Sequence, residues 1–199
     1  MSRAGARAVM LRCGVLAEAA YNAVAAEAGT KAATTSLLIQ RHLREVTGAF
    51  AAGRAPDDTL LICCDRQSGR TRYAALLRAA LSNEDQITDQ IEPQIEAIEE
   101  SPERSRYRVR CVHAGVPLSF HAEFRTESEE RHLPVAAASM TAKLVRELAM
   151  ARFNTYFSSR CPTLRPTAGY AQDAARWLRD AGAAGVLSPA DRRALVRVV

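Results

Sequence analysis

Thr59-Leu60-Leu61-Ile62-Cys63-Cys64-Asp65 is the stretch that decides the fold, because it is a short apolar run that stops abruptly at a carboxylate. Runs of this kind are typical of strands buried on both faces of a sheet. A carboxylate directly after such a strand lies at the carboxyl edge of the sheet, where α/β folds place their ligand sites. Asp65 is therefore a candidate functional residue. The alternative is that Asp65 only caps a turn or the next helix.

Further strands and helices surround this run. Polar and apolar residues alternate over Tyr107–Val112, which predicts a half-exposed strand, and the turn signal at Ala114-Gly115 makes Pro117–Phe124 its hairpin partner. Helical spacing of apolar residues predicts two helices before residue 50, and others over Tyr73–Leu81, Val135–Phe157, Ala171–Ala181 and from Ser188 onward. These elements predict an α/β fold in which helices cover a small mixed sheet, with the helix 135–157 packed on it.

The chain divides into three segments by pattern: a helical N-terminal region over 1–58, a core over 59–182 and a helical C-terminal tail over 183–199. Within the core, residues 82–104 are strongly acidic. Isoleucines at 87, 91, 95 and 98 form a helical stripe there, but Pro93 interrupts it. This pattern indicates a surface insertion.

Composition places the protein among ordinary globular domains, since 48% of its 199 residues are hydrophobic and 25% are charged. Disordered and fibrous chains are thereby excluded. No apolar run approaches the roughly 18 residues of a membrane span, and no signal peptide is recognised. Five cysteines without a C-x-x-C pair favour free thiols. We therefore expect a cytoplasmic protein without a membrane partner.

Charge is distributed unevenly along the chain. Residues 131–199 carry eleven Lys/Arg against four Asp/Glu, which gives +7, whereas residues 57–130 carry nine against fifteen, which gives −6. A basic C-terminal third fits a protein that meets a polyanion such as nucleic acid. The alternative is that these arginines only form solvated faces. Charge alone does not separate the two.

Carboxylates are the chemistry-bearing groups that the sequence singles out. The four histidines lack zinc-site spacing, and no phosphate-binding or nucleophile motif is present. Beyond the second hairpin strand lies an acidic cluster formed by Glu123, Glu127, Glu129 and Glu130. Either these are solvated loop charges, or one of them returns to Asp65. Converging carboxylates repel each other, and divalent metal ions relieve that repulsion.

The most informative motif is VAAASMTAKLVRELAM at residues 135–150. Small residues at a helix start permit close packing, and Lys143 and Arg146 lie one turn apart on the same side. The motif resembles the A-A-A-S-I-x-A-K-x-x-R-D-x-x-M segment of type 2 ribonucleases H, the HII group. A helix of that family would bring its basic residues to a nucleic-acid backbone.

Three further positions support this resemblance, which covers about residues 59–180. Glu129 lies six residues before Val135, where the family has a carboxylate. Asp65 ends a hydrophobic strand as in the family's I-D-G motif, although Arg66 replaces the glycine. Gly169-Tyr170 matches the start of G-Y-G-T-x-x-H, whereas the next family positions hold Ala171, Gln172 and Ala175.

The resemblance implies a ribonuclease-H-like mixed sheet flanked by helices, and a set of site residues. Asp65 and Glu129 would be catalytic and would bind Mg²⁺ or Mn²⁺. The substrate-binding residues would be Lys143, Arg146, Ser139, Gly169 and Tyr170, with an RNA·DNA hybrid as ligand. The family's D-E-x-G-R-G strand, which supplies two of its four carboxylates, does not occur in these residues, so the fold is expected to be N-terminally incomplete.

Two functions follow as hypotheses. One is a metal-dependent endonuclease that cleaves the RNA strand of RNA·DNA hybrids. Its activity is expected to be impaired, because only two of the family's four carboxylates are placed in this sequence. The other is a non-catalytic module with a ribonuclease-H-like fold, which binds nucleic acid or a protein partner through its basic C-terminal third. The sequence leaves the choice between enzyme and binding module open.

Overall fold

The computed structural model describes residue 5 and residues 7–55, 57–82 and 92–197. They form two compact units. One combines Met1–Lys31 with Ala138–Val199, and the other is the continuous segment Ala32–Ala137. The boundaries predicted after residues 58 and 182 describe sequence segments, and they stay a prediction.

The unit Ala32–Ala137 is built on a four-stranded sheet. Its strands are β1 (Leu60–Asp65), β2 (Gln94–Glu100), β3 (Arg104–His113) and β4 (Val116–Arg125), in the order β1-β4-β3-β2. β1 pairs in parallel with β4, and the other two pairings are antiparallel. The mixed sheet and the three strands predicted from the sequence are thereby confirmed.

The predicted surface insertion is wrong for its second half, because Gln94–Glu100 is the edge strand β2. Ile95 lies opposite Val109 of β3 and packs against the core, and the register shifts between Ala97 and Glu99. The bulge breaks the period-two pattern and leaves Ala97 and Ile98 exposed together with Glu96, so the sequence does not look like a strand. Residues 83–91, which include two of the isoleucines of the stripe, lie outside the described residues.

One face of this sheet forms the core with helices α2 (Lys31–Gly53) and α3 (Ala74–Leu81). Tyr73, at the start of α3, stacks on Phe124 of β4 with ring centroids 3.8 Å apart. The Tyr107 hydroxyl accepts a 2.9 Å hydrogen bond from the backbone N–H of Tyr73 and donates one to Glu100. A stacked aromatic pair with satisfied polar ends ties α3 to the sheet.

The opposite face of the sheet is partly open. In β1, Ile62 is buried on the core side, whereas Leu61 is 51% exposed. The expectation that this strand is buried on both faces is therefore wrong, because helices of this unit cover one side of it. The predicted helix over 135–157 exists as α4 (Leu133–Ser158), but from Ala138 onward it belongs to the other unit. Its packing on the sheet stays a prediction.

The other unit is helical. It contains α1 (Glu18–Ala28), α4 from Ala138, α5 (Ala171–Ala183) and α6 (Pro189–Leu195). Phe153 and Phe157 of α4 enclose Trp177 of α5, with ring centroids 4.9 and 4.8 Å from the indole. Ser188 begins α6 with a capping box to Asp191, as its position before Pro189 predicts.

The sequence also predicts free cysteine thiols and no membrane-spanning segment. The five cysteines, all of which the structure describes, form no disulfide. Among the helices that the structure describes, none combines the length and the apolarity needed to cross a membrane.

Candidate nucleic-acid interface and carboxylate edge

Residues 166–170, here called the Gly-Tyr loop, directly precede α5 in the helical unit. Asn154 of α4 holds it by two backbone hydrogen bonds. Its Nδ2 donates to the Thr167 carbonyl at 2.8 Å, and its Oδ1 accepts from the Thr167 N–H at 2.9 Å. The side-chain amide thus pairs with both the backbone N–H and the backbone C=O of Thr167, as a neighbouring β-strand would, and holds the residue in place. The loop is therefore anchored to α4.

Asp173, in the first turn of α5, holds the same loop from its other side. Its carboxylate accepts hydrogen bonds from the Thr167 hydroxyl at 2.7 Å, the Ala168 N–H at 2.6 Å and the Arg176 guanidinium at 2.7 Å. These bonds favour the charged carboxylate. The Thr167 hydroxyl, followed by Arg176 and Ala168, lowers the pKa of Asp173 to about 2. The loop conformation is thus tied to an ionised aspartate.

Gly169 is the residue that this loop conformation requires. Its φ is +74°, and a Cβ at this position would lie 3.2 Å from the Met150 side chain of α4. Left-handed backbone and a close approach both favour glycine. This gives a physical reason for the glycine of the Gly-Tyr pair.

Tyr170 projects from this anchored loop and is 65% exposed. The Arg146 guanidinium of α4 lies over its ring, with Cζ 4.3 Å from the centroid. Arg146 also donates to the Ala168 carbonyl and pairs with Glu147. The structure therefore brings together three of the predicted substrate-binding residues, Arg146, Gly169 and Tyr170. An exposed ring under a guanidinium is a surface on which a nucleobase can stack.

The other two predicted substrate-binding residues lie on the same helix. Ser139 is half-buried and Lys143 is exposed. Together with Arg146 and Met150 they follow the helical spacing i, i+4, i+7 and i+11, which places all four on one face of α4. Because Arg146 and Met150 approach Gly169, this face is the one that carries the Gly-Tyr loop.

The lowered pKa of Asp173 predicts how the stability of this region changes with pH. Its pKa is lowered from 3.8 to about 2, so its stabilising effect is present above about pH 4 and is lost as the pH falls through about 2. We expect Asp173→Asn to reduce the loss in melting temperature between these pH values, to which Asp191 and Glu99, whose pKa values are also lowered, contribute as well. Asp180→Asn serves as the control, since Asp180 accepts a 3.2 Å hydrogen bond from the same Arg176 guanidinium at an exposed position. Equal pH dependence of the wild type and Asp173→Asn would contradict the assignment.

The carboxylate edge is the second candidate region, and it lies in the unit Ala32–Ala137. Asp65 ends β1 opposite Arg125 of β4, and its side chain is exposed. Its Oδ1 accepts a 3.4 Å hydrogen bond from the N–H of Ser128, the first residue of a 3-10 turn over Ser128–Glu130. The sheet edge thus brings the turn that contains Glu129 next to Asp65. Glu129 itself is exposed.

Glu123, which the sequence analysis grouped with the carboxylates beyond the second hairpin strand, lies within β4, inside the predicted strand Pro117–Phe124. It is only 6% exposed, and its Oε1 lies 3.2 Å from Nε2 of His132. Its register partner on β1 is Cys63, so Glu123 shares a sheet face with Asp65, two residues further along β1. Its burial beside His132 could not be predicted from local spacing.

Metal binding needs more ligands than this edge provides. Among the residues that the structure describes, no group of three or more His, Cys, Asp or Glu side chains could hold a metal ion. Arg125 also places a cation opposite Asp65. Asp65 and Glu129 alone therefore do not fit the pair of Mg²⁺ or Mn²⁺ ions that the family resemblance implies.

Comparison with known proteins finds no matching family model, no matching curated protein and no matching solved structure. The resemblance to ribonucleases HII therefore depends on the residues quoted above.

Proposed function

We propose that this chain is a ribonuclease-H-like protein that binds nucleic acid, with RNA·DNA hybrids as its ligand class. The observation that carries the proposal is the exposed Tyr170 ring under the Arg146 guanidinium, on a loop fixed by Asn154 and Asp173. Aromatic rings and guanidinium planes stack on unpaired bases, such as those at the end of a hybrid duplex, and a fixed loop keeps this stacking surface ordered before the ligand arrives. The choice of hybrids rests on the family resemblance.

Charge along α4 supports the same proposal. The helix carries Lys143, Arg146 and Arg152 but a single acidic residue, Glu147. Lysine and arginine on an exposed helix bind phosphates by charge-assisted hydrogen bonds, independently of base sequence. Lys143 lies one turn from the Tyr170–Arg146 pair on the same helix face. A backbone phosphate at Lys143 and a sugar or base at Tyr170 are therefore the contacts that we assign.

The second candidate function is a metal-dependent endonuclease acting on the RNA strand of hybrids. It is favoured by the hydrogen bond between Asp65 and the turn that contains Glu129, and by the buried carboxylate of Glu123 on the same sheet face. In this hypothesis Asp65 and Glu129 are catalytic and Mg²⁺ or Mn²⁺ is the cofactor. Among the described residues, no group of three or more ligands completes such a site, so binding is the function that the described geometry supports better.

Binding of a fluorescently labelled RNA·DNA hybrid, followed by anisotropy, tests the proposal. We expect Tyr170→Ala to weaken binding about tenfold, since stacking of one base contributes about 1–3 kcal/mol. Lys143→Ala should weaken binding of all sequences alike and lower the salt slope by about one. For the wild type, affinity should fall roughly 100-fold between about 50 and 200 mM salt, as about four phosphate contacts require.

Two variants serve as matched controls. Tyr170→Phe keeps the ring and should bind like the wild type, and Arg54→Ala removes an exposed arginine of the other unit. Binding that does not depend on salt would contradict the proposal, as would equal affinities of Tyr170→Ala and the wild type. If no hybrid binds at low salt, the chain is not a nucleic-acid-binding protein, and a protein partner becomes the better hypothesis.

A further inference from the structure

Arg152, Tyr156 and Arg160 form a second row of basic and aromatic side chains near the end of α4, here called the distal row. Arg152 and Tyr156 lie four residues apart along one side of α4, and Arg160 follows two residues after the helix ends at Ser158. Arg152 and Arg160 are exposed, and Tyr156 is 50% exposed. No acidic residue occurs between positions 152 and 160. The row is therefore a cationic surface with an aromatic ring at its centre.

The distal row repeats the construction of the Tyr170–Arg146 pair. The Arg160 guanidinium lies over the Tyr156 ring, with Cζ 3.5 Å from the centroid. Arg160 also donates from Nη1 to the Tyr156 carbonyl at 3.1 Å, so its position is fixed by the helix end. The edge of the same ring contacts Phe157, which is part of the aromatic core. The ring and the guanidinium are thus held in place while their outer surface faces solvent.

We infer that the distal row is a second nucleic-acid contact, which binds the continuation of the strand held at Tyr170; this inference rests on the proposed function. Arg146 and Tyr156 are ten residues apart on α4, which corresponds to about 15 Å along the helix axis. Successive nucleotides of a duplex strand rise by about 3.4 Å, so the two contacts are about four to five nucleotides apart. A guanidinium that lies over a tyrosine ring can bind a phosphate through its N–H groups, and the exposed side of the ring can stack on a base.

The test compares a short hairpin hybrid of about three base pairs, which is shorter than the expected spacing of about four to five nucleotides, with a hybrid of about sixteen base pairs, which exceeds that spacing several times. The double variant Tyr156→Ala/Arg160→Ala should bind the long hybrid about tenfold more weakly than the wild type and the short one equally well. Tyr170→Ala should weaken both. Arg179→Ala, which removes an exposed arginine of α5, should weaken neither.

The outcomes separate this inference from the proposed function. Suppose that the wild type binds both hybrids. If the double variant then binds the long hybrid as tightly as the wild type does, or loses the same affinity for both hybrids, the distal row is not a second contact. If the wild type binds neither hybrid, the proposed function itself fails. Should the double variant not fold, as judged by its circular dichroism, Arg152→Ala decides. It should lower the salt slope by about one for the long hybrid only, and an unchanged slope overturns the inference.

Discussion

With Mg²⁺ or Mn²⁺ present, the 199-residue chain is expected to hydrolyse an RNA·DNA hybrid many powers of ten more slowly than a site with four carboxylates. In ribonuclease-H-type chemistry a pair of divalent ions supplies the activated water and stabilises the leaving oxygen. Under the ribonuclease-H-like hypothesis, Asp65 and Glu129 would supply two of the four carboxylates required, and the described residues contain no group of three or more potential ligands that could hold a metal ion. Each tenfold of lost rate corresponds to about 1.4 kcal/mol of barrier, so losing both ions has a very large effect.

A single-turnover cleavage assay on a labelled hybrid measures this. Adding an N-terminal strand that carries the D-E-x-G-R-G motif should restore cleavage, and Asp65→Asn in that longer chain should abolish it again. Asp57→Asn, an exposed carboxylate just before β1, is the control and should leave the restored activity unchanged. Rapid cleavage by the present chain that is insensitive to both Asp65→Asn and Glu129→Gln would refute the residue assignment.

Trp177→Ala is expected to destabilise the helical unit by about 3–5 kcal/mol, which is the usual cost of removing a large buried aromatic side chain. Trp177 is 3% exposed and is enclosed by Phe153 and Phe157, with Leu164 and Ala181 completing the core. The aromatic contacts add to the area that is buried. A cavity among rigid rings cannot close fully, so we expect the loss to lie within this range.

Urea unfolding followed by far-UV circular dichroism measures the change, because the variant lacks the tryptophan that fluorescence would report. Trp177→Phe keeps an aromatic ring in the core and should lose less stability. Tyr170→Ala removes an exposed ring and should leave stability nearly unchanged. A loss below about 1 kcal/mol for Trp177→Ala would show that the aromatic cluster is not the core of this unit.

Local patterns were sufficient for most helices and for three of the four strands of the described sheet, β1, β3 and β4. The apolar run before Asp65, the alternation over Tyr107–Val112 and the Ser188-Pro189 cap each correspond to an element of the structure. These signals succeed because periodicity, turn residues and caps act over a few neighbouring positions. The edge strand β2 has no such signal, since its acidic residues are paired with arginines of β3, for example Glu96 with Arg108.

The candidate sites divide in the same way. The sequence by itself determined which residue types are present and their spacing: a carboxylate after a strand, basic residues on one helix face, and a glycine before Tyr170. Only the tertiary structure decided that Arg146 covers Tyr170, that Asn154 and Asp173 hold the loop, and that Glu123 is buried beside His132. Most of these contacts join residues that are far apart in the chain or on different elements. Their formation depends on how whole helices and strands pack, and no local periodicity encodes that packing.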